Sequence, residues 1–343
     1  MWLTGVTIVT VSASTHPTLL DVAEVNNADG TVASVIEMLA THNEMLMDMV
    51  VVESNEEMSH KTVIRTGLPV GVWRGYNQGV PPSKSQTATV RDEIGNYEMY
   101  AEVDRDLANL NGNSAAWRLQ EERPFIEKMS QVVQSQLIYG SRQSEVNGFT
   151  GIMPRFSTVT AANAASADNV IDGGGSGTDN ASILLVTWDP NTCHGIYPRG
   201  QSTGLMIEDK GQITIENADG SHGRMEAYRS HYKWTLGMTV RDWRYVVRIA
   251  IIDKSNLTAD GATGAKLPDL MFEAMELLPS ETMGRMAFYM ARNVRTKLRQ
   301  QLSERVSGST LMMQDVGGVR TMMFQGVPIR RVDAMAADEA QVT

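Results

Sequence analysis

Residues 58–104 read MSHKTVIRTGLPVGVWRGYNQGVPPSKSQTATVRDEIGNYEMYAEVD. Apolar and β-branched runs at 62–64, 87–90 and 97–103 alternate with polar residues, the period of a half-exposed strand. Between them Gly67, Pro69, Gly71, Gly75, Gly79, Pro81 and Pro82 set turns and forbid a helix. The stretch therefore predicts a long two-stranded arm with an irregular tip. Such a ribbon is marginal alone in water. It needs a surface to lie on, and that surface need not belong to the same chain.

Charge sharpens this reading. Residues 61–91 carry five bases (Lys61, Arg65, Arg74, Lys84 and Arg91) and no acid, whereas the first 60 residues hold nine acids and no Lys or Arg. Blocks of opposite sign in a chain of net charge −10 suggest complementary surfaces, folded back on one another or meeting between copies. A basic, Gly- and Pro-punctuated arm is also able to track a phosphate backbone. Against that stand the absence of clustered Lys/Arg and the small set of stacking groups, Trp73, Tyr76, Tyr97 and Tyr100.

A chain of 343 residues is one large domain or two to three smaller ones. With 22 Met against 6 Phe, its core is adaptable rather than aromatic-rich. The single cysteine, Cys193, excludes an intramolecular disulfide framework and a multi-cysteine zinc site. The start, MWLTGVTIVTVSAS, has no basic n-region and only a short apolar run; it reads as an extended arm, with a weak signal peptide as the alternative. No run of about 18 apolar residues appears, so no membrane span is expected. Asn180-Ala181-Ser182 and Asn256-Leu257-Thr258 match the glycosylation pattern and, without a secretion signal, are read as chance.

Residues 15–41 suggest two short helices, with Thr18 and Asp21 as a capping box and a break at Asn26-Asn27-Ala28-Asp29-Gly30. The Met- and Val-rich run 45–52 reads as a strand or buried linker. After the arm, Asn113 is placed to cap a helix running to Tyr139 with Gly140 as its stop, its apolar face being Phe125, Met129, Val132, Val133 and Leu137. Pro124 is expected to kink or restart it. Residues 148–179 are loop-rich and end in Asp172-Gly173-Gly174-Gly175-Ser176-Gly177, a flexible surface loop rather than a phosphate loop, since no Lys-Ser/Thr follows. Strands are expected at 182–188, 212–215, 232–252, 286–290, 310–313, 319–324 and 327–332, and helices at 267–278 and 293–305. On the last helix Val294, Leu298 and Leu302 form the apolar face, with Arg292, Arg295 and Arg299 grouped on another. That basic group is a solvated face, an intersubunit contact or a nucleic-acid contact. Residues 333–343 form an acidic tail.

No catalytic constellation stands out. The six histidines (His16, His42, His60, His194, His222 and His231) show no HxH or HExxH spacing. Adjacency in sequence does not make Cys193 and His194 a nucleophile and base. Asp104 with Asp106, or Glu121 with Glu122, would point apart on a helix. Neither GxSxG, GxGxxG nor a kinase signature is present. No cofactor or metal is implied.

The order of elements resembles the major capsid proteins of tailed bacteriophages with the Hong Kong 97 fold, those of short-tailed phages in particular. The likeness rests on VIRTGLPVGVWRGYNQGVPPSKSQTATV (63–90), the helix 113–140, AFYMARNVRTKLRQQL (287–302) and MFQGVPIRRVDAM (323–335). It implies an α+β Hong Kong 97-type fold: an N-terminal arm at 1–57, an E-loop hairpin at 58–104 and the spine helix of a P-domain at 105–147. A mixed α/β A-domain would fill most of 148–305, and closing P-domain strands and the tail 306–343. The E-loop would lie over a neighbouring subunit through Lys61, Arg65, Trp73, Arg74, Tyr76, Lys84 and Arg91. Arg292, Arg295 and Arg299 would be an interface or DNA-facing face. Implied partners are many copies of the chain as hexamers and pentamers, portal, scaffolding and cement or decoration proteins, and packaged double-stranded DNA held by weak non-specific contact, with no membrane. The implied location is the virion capsid, assembled in the bacterial host cytoplasm. Lys84 lies near the hairpin tip, but no residue match extends the family's Lys–Asn cross-link to it, so a non-covalent shell is expected. An encapsulin-like compartment on the same fold and an α/β enzyme with no recognisable motif are the rival readings.

Overall fold

The computed structural model describes residues 44–110, 114–201, 204–216, 222–259, 261, 263–304, 311–316, 319–336 and 338–342. The readings made for residues 1–43, and Asn113 as a cap, lie outside them. The strands are β1 Val51–Glu53, β2 Ser59–Gly67, β3 Gln86–Asp104, β4 Val170–Asp172, β5 Asn180–Trp188, β6 Cys193–Tyr197, β7 Leu205–Glu216, β8 Arg224–Val240, β9 Val246–Asp253, β10 Arg285–Met290, β11 Leu311–Val316, β12 Val319–Phe324 and β13 Val327–Arg331. The helices are α1 Met45–Asp48, α2 Arg105–Ala108, α3 Ser114–Tyr139, α4 Leu267–Glu276 and α5 Arg292–Glu304. The described residues fall into two compact units, one from 97–130 and 205–234, the other from 44–96, 131–204 and 235–342.

The larger unit is organised on β5 and β9, antiparallel neighbours whose residues are buried along their whole length. Both read as near-continuous Ile, Leu and Val runs, which suits strands covered on both faces. On its other edge β5 pairs antiparallel with β10, β10 parallel with β13, and β13 antiparallel with β12, which pairs in turn with β11. Gln325 and Gly326 both have positive φ (48° and 84°), which makes the two-residue turn joining β12 to β13. Helix α4 packs on β9 and α5 with Leu267, Met271, Ala274 and Met275 buried. Helix α5 buries Val294, Leu298 and Leu302, the face expected from their spacing. Buried Gln301 ties the two helices together: its Oε1 accepts the Leu267 N–H, and its Nε2 donates to the carbonyls of Thr258 and Ala265.

In the smaller unit β7 and β8 form a long hairpin, and α3 packs Trp117 against Val103 and Ala108, and Met129 against Ala101 and Tyr232. These anchors lie on either side of Pro124, and α3 runs through it as one helix instead of restarting. One missing backbone bond is outweighed by packing on both sides.

Three other expectations are corrected. The run 45–52 is neither a single strand nor a linker: α1 turns once and β1 then pairs parallel with β6. The stretch 232–252 is two strands, because Asp242 accepts the Arg244 N–H and starts a 3-10 turn at Trp243–Tyr245. The Gly-rich segment is not wholly free. Gly173 and Gly175 donate backbone bonds to Ala250 and Ile251 of β9, and a Cβ on Gly175 would sit 2.5 Å from the Ile251 carbonyl oxygen. Close backbone approach, rather than flexibility, explains those two glycines.

Candidate assembly surface

The arm exists as the hairpin of β2 and β3, in register from Ser59↔Glu93 to Arg65↔Thr87, with a bulge between Arg65 and Gly67. Residues 68–85 form the tip, without regular structure apart from a turn closed by Gln78 donating to the Gly75 carbonyl. Nearly everything on the tip faces solvent. Trp73 and Tyr76 are fully exposed (104% and 99%), and Leu68, Val70, Val72 and Val80 accompany them. Six large apolar side chains are thus displayed to solvent at the end of the ribbon.

Lys61, Arg65, Arg74 and Lys84 are exposed, and among the described residues none has a carboxylate within 4 Å. Arg91 differs, since its Nη2 lies 3.1 Å from Oε1 of Glu56. The Ser59 hydroxyl, followed by Arg91, holds the Glu56 carboxyl below its ordinary range. Of the four expected stacking groups only Trp73 and Tyr76 are free. Tyr97 packs in the smaller unit's core, while Tyr100 stacks on His231 with ring centres 4.5 Å apart, under the Arg229 guanidinium. An open groove runs along β2, lined by Val63, Ile64, Arg65, Arg241, Trp243 and Arg244.

The foot of the hairpin is fixed by buried polar groups. Asp92, opposite His60 across the ladder, accepts from Arg155 Nη2 at 2.7 Å and Thr239 Oγ1 at 2.5 Å. Arg155 also donates to the carbonyls of Thr150, Gly151 and Met238, and Arg142 pairs with Glu93. Beside this clamp the imidazoles of His60 and His194 meet edge to face at 5.6 Å, and the Nδ1 atom of each is buried without a partner. Burial first, then the other ring and Arg241, pushes the His194 pKa down to about 4. Burial likewise pushes the neighbouring Cys193 thiol up to about 12, which suits a packing residue and not a nucleophile.

The basic face of α5 divides. Arg292 pairs with Asp333 at 2.8 Å, Arg295 is half-buried and Arg299 is exposed. Two buried networks escaped sequence reading. Glu339, in the tail expected to be merely acidic, enters the core: its carboxylate accepts from Arg248 at 2.9 Å, Tyr139 at 2.6 Å and Ser182 at 2.5 Å, and its N–H donates to the Asn180 carbonyl. Asp48 accepts two bonds from Arg330 and one from the Tyr289 hydroxyl, which itself accepts from Trp188 Nε1. A Glu four residues from the chain's last residue, and an Asp within a Met-rich run, carry no local signal of such distant partners. Among the described residues no group of three or more His, Cys, Asp or Glu is placed to hold a metal, and no helix is long and apolar enough to cross a membrane.

A family model described as major capsid protein GP7 matches residues 27–343. A chain in the near-atomic structure of bacteriophage epsilon15 is 31% identical, with a TM-score of 0.79, over 97% of this chain and 99% of that one. More distant are chains of the bacteriophage JBD30 capsid (12% identity, TM-score 0.47, 87% and 93% covered) and of the native GTA particle capsid (9%, 0.45, 64% and 94%). The curated proteins contain no match.

Proposed function

This chain belongs to the major capsid protein GP7 family, and from that premise we propose that its hairpin, residues 58–104, lies over a neighbouring copy and joins the copies into a shell. The chain is a structural subunit of a phage capsid, not an enzyme, with the Hong Kong 97-type fold, and it assembles from many copies of itself in the virion. The single observation that carries the hairpin's role is its tip. Trp73 and Tyr76 stand wholly in solvent on the same tip as Arg74 and Lys84, with Lys61 and Arg65 exposed along β2, and none of these four cations has an acidic partner among the described residues.

Burying an apolar side chain stabilises by about 1.5–3 kcal/mol. The six apolar tip residues therefore offer on the order of 10 kcal/mol gross per hairpin, before the cost of ordering the tip. Repetition over a closed shell turns modest contacts into a stable assembly. The bases Lys61, Arg65, Arg74 and Lys84 meet acidic surface on the neighbour, and the four acids beyond the described residues (Asp21, Glu24, Asp29 and Glu37) belong to a stretch with no base. Arg91, already held by Glu56, stiffens the hairpin from within.

In this reading 1–57 is the N-terminal arm, 105–147 the spine region, 148–305 mostly the A-domain, and 306–343 the closing strands and tail. Copies group as hexamers and pentamers in the host cytoplasm, with portal, scaffolding and cement proteins as further partners. Packaged DNA is held by weak contact, as a net charge of −10 favours. The test is sedimentation of Arg65→Glu/Arg74→Glu and of Trp73→Ala/Tyr76→Ala at moderate salt. Subunits that stay folded but no longer form shells are expected. Shells at wild-type yield from both variants would contradict the assignment.

A further inference from the structure

We propose that Arg295, Arg299 and Arg331 form a socket for a carboxylate side chain carried by a second copy of this chain. The inference rests on the capsid reading and concerns a surface apart from the hairpin.

The fold builds this cluster from two adjoining elements. Helix α5 starts directly after β10, and β10 pairs with β13 so that Met290 stands opposite Arg331. Arg295 and Arg299 are one turn apart on α5 and share a face. The charges nearby do not cancel. Asp333 is engaged by Arg292 at 2.8 Å, and Asp48 is taken by Arg330 through two bonds of 2.9 Å. Glu44 lies 3.6 Å from Arg330. Among the described residues no carboxylate comes within 4 Å of Arg295 or Arg299. Among the described residues the one carboxylate near Arg331 is that of Asp333, 3.6 Å from Nε and beyond hydrogen-bond range, and that Nε is buried with no acceptor.

Burial pushes the Arg295 pKa down; Glu44 favours its charge, and the neighbouring guanidiniums of Arg331, Arg299 and Arg330 oppose it. A half-buried cation among other cations, next to an unsatisfied donor, is a costly arrangement in an isolated subunit. An incoming carboxylate, able to accept two forked bonds, would satisfy both.

The recessed position decides between ligand classes. Duplex phosphates meet cations that project into solvent. Here Arg299 is exposed, but Arg295 is half-buried and the free Arg331 Nε is buried, so an acceptor that satisfies all three has to be carried on a side chain that reaches in past Arg299. The shell surrounds each copy with others of the same sequence, and every copy has 40 acids against 30 bases. A second copy is therefore both the acidic partner and the abundant one.

The experiment uses Arg299→Lys, which keeps the charge and supplies an amine, in shells assembled from equal parts of nitrogen-14 and nitrogen-15 protein. Carbodiimide coupling followed by mass spectrometry reads which carboxylate bonds to the new amine. Mixed-isotope links from position 299 to an Asp or Glu are expected, and shells of Arg295→Glu/Arg299→Glu should need roughly tenfold more protein to form, with the subunit's unfolding curve unchanged. Shells whose links at 299 are all same-isotope, or absent, overturn the socket and leave the capsid reading intact. Loss of duplex DNA binding in Arg295→Ala/Arg299→Ala, with assembly unaltered, also overturns it in favour of a phosphate site. Failure of the wild-type protein to form shells under any condition overturns both.

Discussion

Replacing Asp92 by Ala is the sharpest single test of how the hairpin is held. Asp92 is 7% exposed and its Arg155 partner's side chain 18%, so water screens the pair little. Removing one member of a buried ion pair costs about 3–5 kcal/mol. Arg155 would keep its bonds to the carbonyls of Thr150, Gly151 and Met238, which places the loss at the lower end. The Thr239 hydroxyl, bonded to Asp92 at 2.5 Å, would lose its acceptor and add about 1 kcal/mol. The expected total is about 3–4 kcal/mol. Urea unfolding of the unassembled subunit measures it, and hydrogen exchange locates it, with amides at 59–64 and 89–93 losing protection first. Asp92→Leu/Arg155→Met should cost less than the sum of the single substitutions, because no charge is left buried. A single-site loss below about 1 kcal/mol, or strict additivity in the double variant, would refute the clamp.

Three further outcomes follow from the buried groups. Glu339→Gln should destabilise the subunit by about 2–4 kcal/mol, since it leaves Arg248, whose side chain is 6% exposed, without its carboxylate; calorimetry reads this, and an unchanged melting temperature would show the tail to be incidental. His194 takes up its proton only near pH 4 in the folded state against about 6.5 when unfolded, so the unfolded chain binds more protons in that window and stability should fall as pH drops from about 6.5 to about 4. The loss is on the order of 3 kcal/mol; His60 with its lowered pKa, Arg241, Asp92 and Glu56 are the charged neighbours, and His194→Gln should remove most of that slope in pH-dependent unfolding while leaving the carboxylate-driven part. Cys193 should resist thiol reagents at pH 8 until the subunit unfolds, and rapid labelling of native protein would contradict its burial.

What the sequence revealed and what it hid have separate physical causes. The hairpin, α3, α4 and α5 were legible because periodicity and turn residues are local signals, and the apolar faces Met129–Val133–Leu137 and Val294–Leu298–Leu302 lie buried as their spacing requires. β4 and β6 were missed, and β1 was seen only as part of an undivided run, because each is three to five residues long and is held mainly by a distant partner. The break at Asp242 was hidden because its flanks are equally β-prone and only a side-chain cap separates them. The charge count on the arm was legible in sign but not in pairing. Arg91 looked like its four companions until Glu56, 35 positions earlier, came into contact with it. Nor could composition show that Glu339, in an apparently solvated tail, is a core residue holding Arg248 from 91 positions away. The fold was readable; long-range ion pairs were not.

Cryo-electron microscopy of the assembled wild-type protein would show where the hairpin tip goes. Closed icosahedral shells are expected, with the tip at 68–85, including Trp73 and Tyr76, packed against a different copy. Shells in which those two side chains remain in solvent, or a protein that stays a small discrete oligomer when expressed with its neighbouring genes, would contradict it.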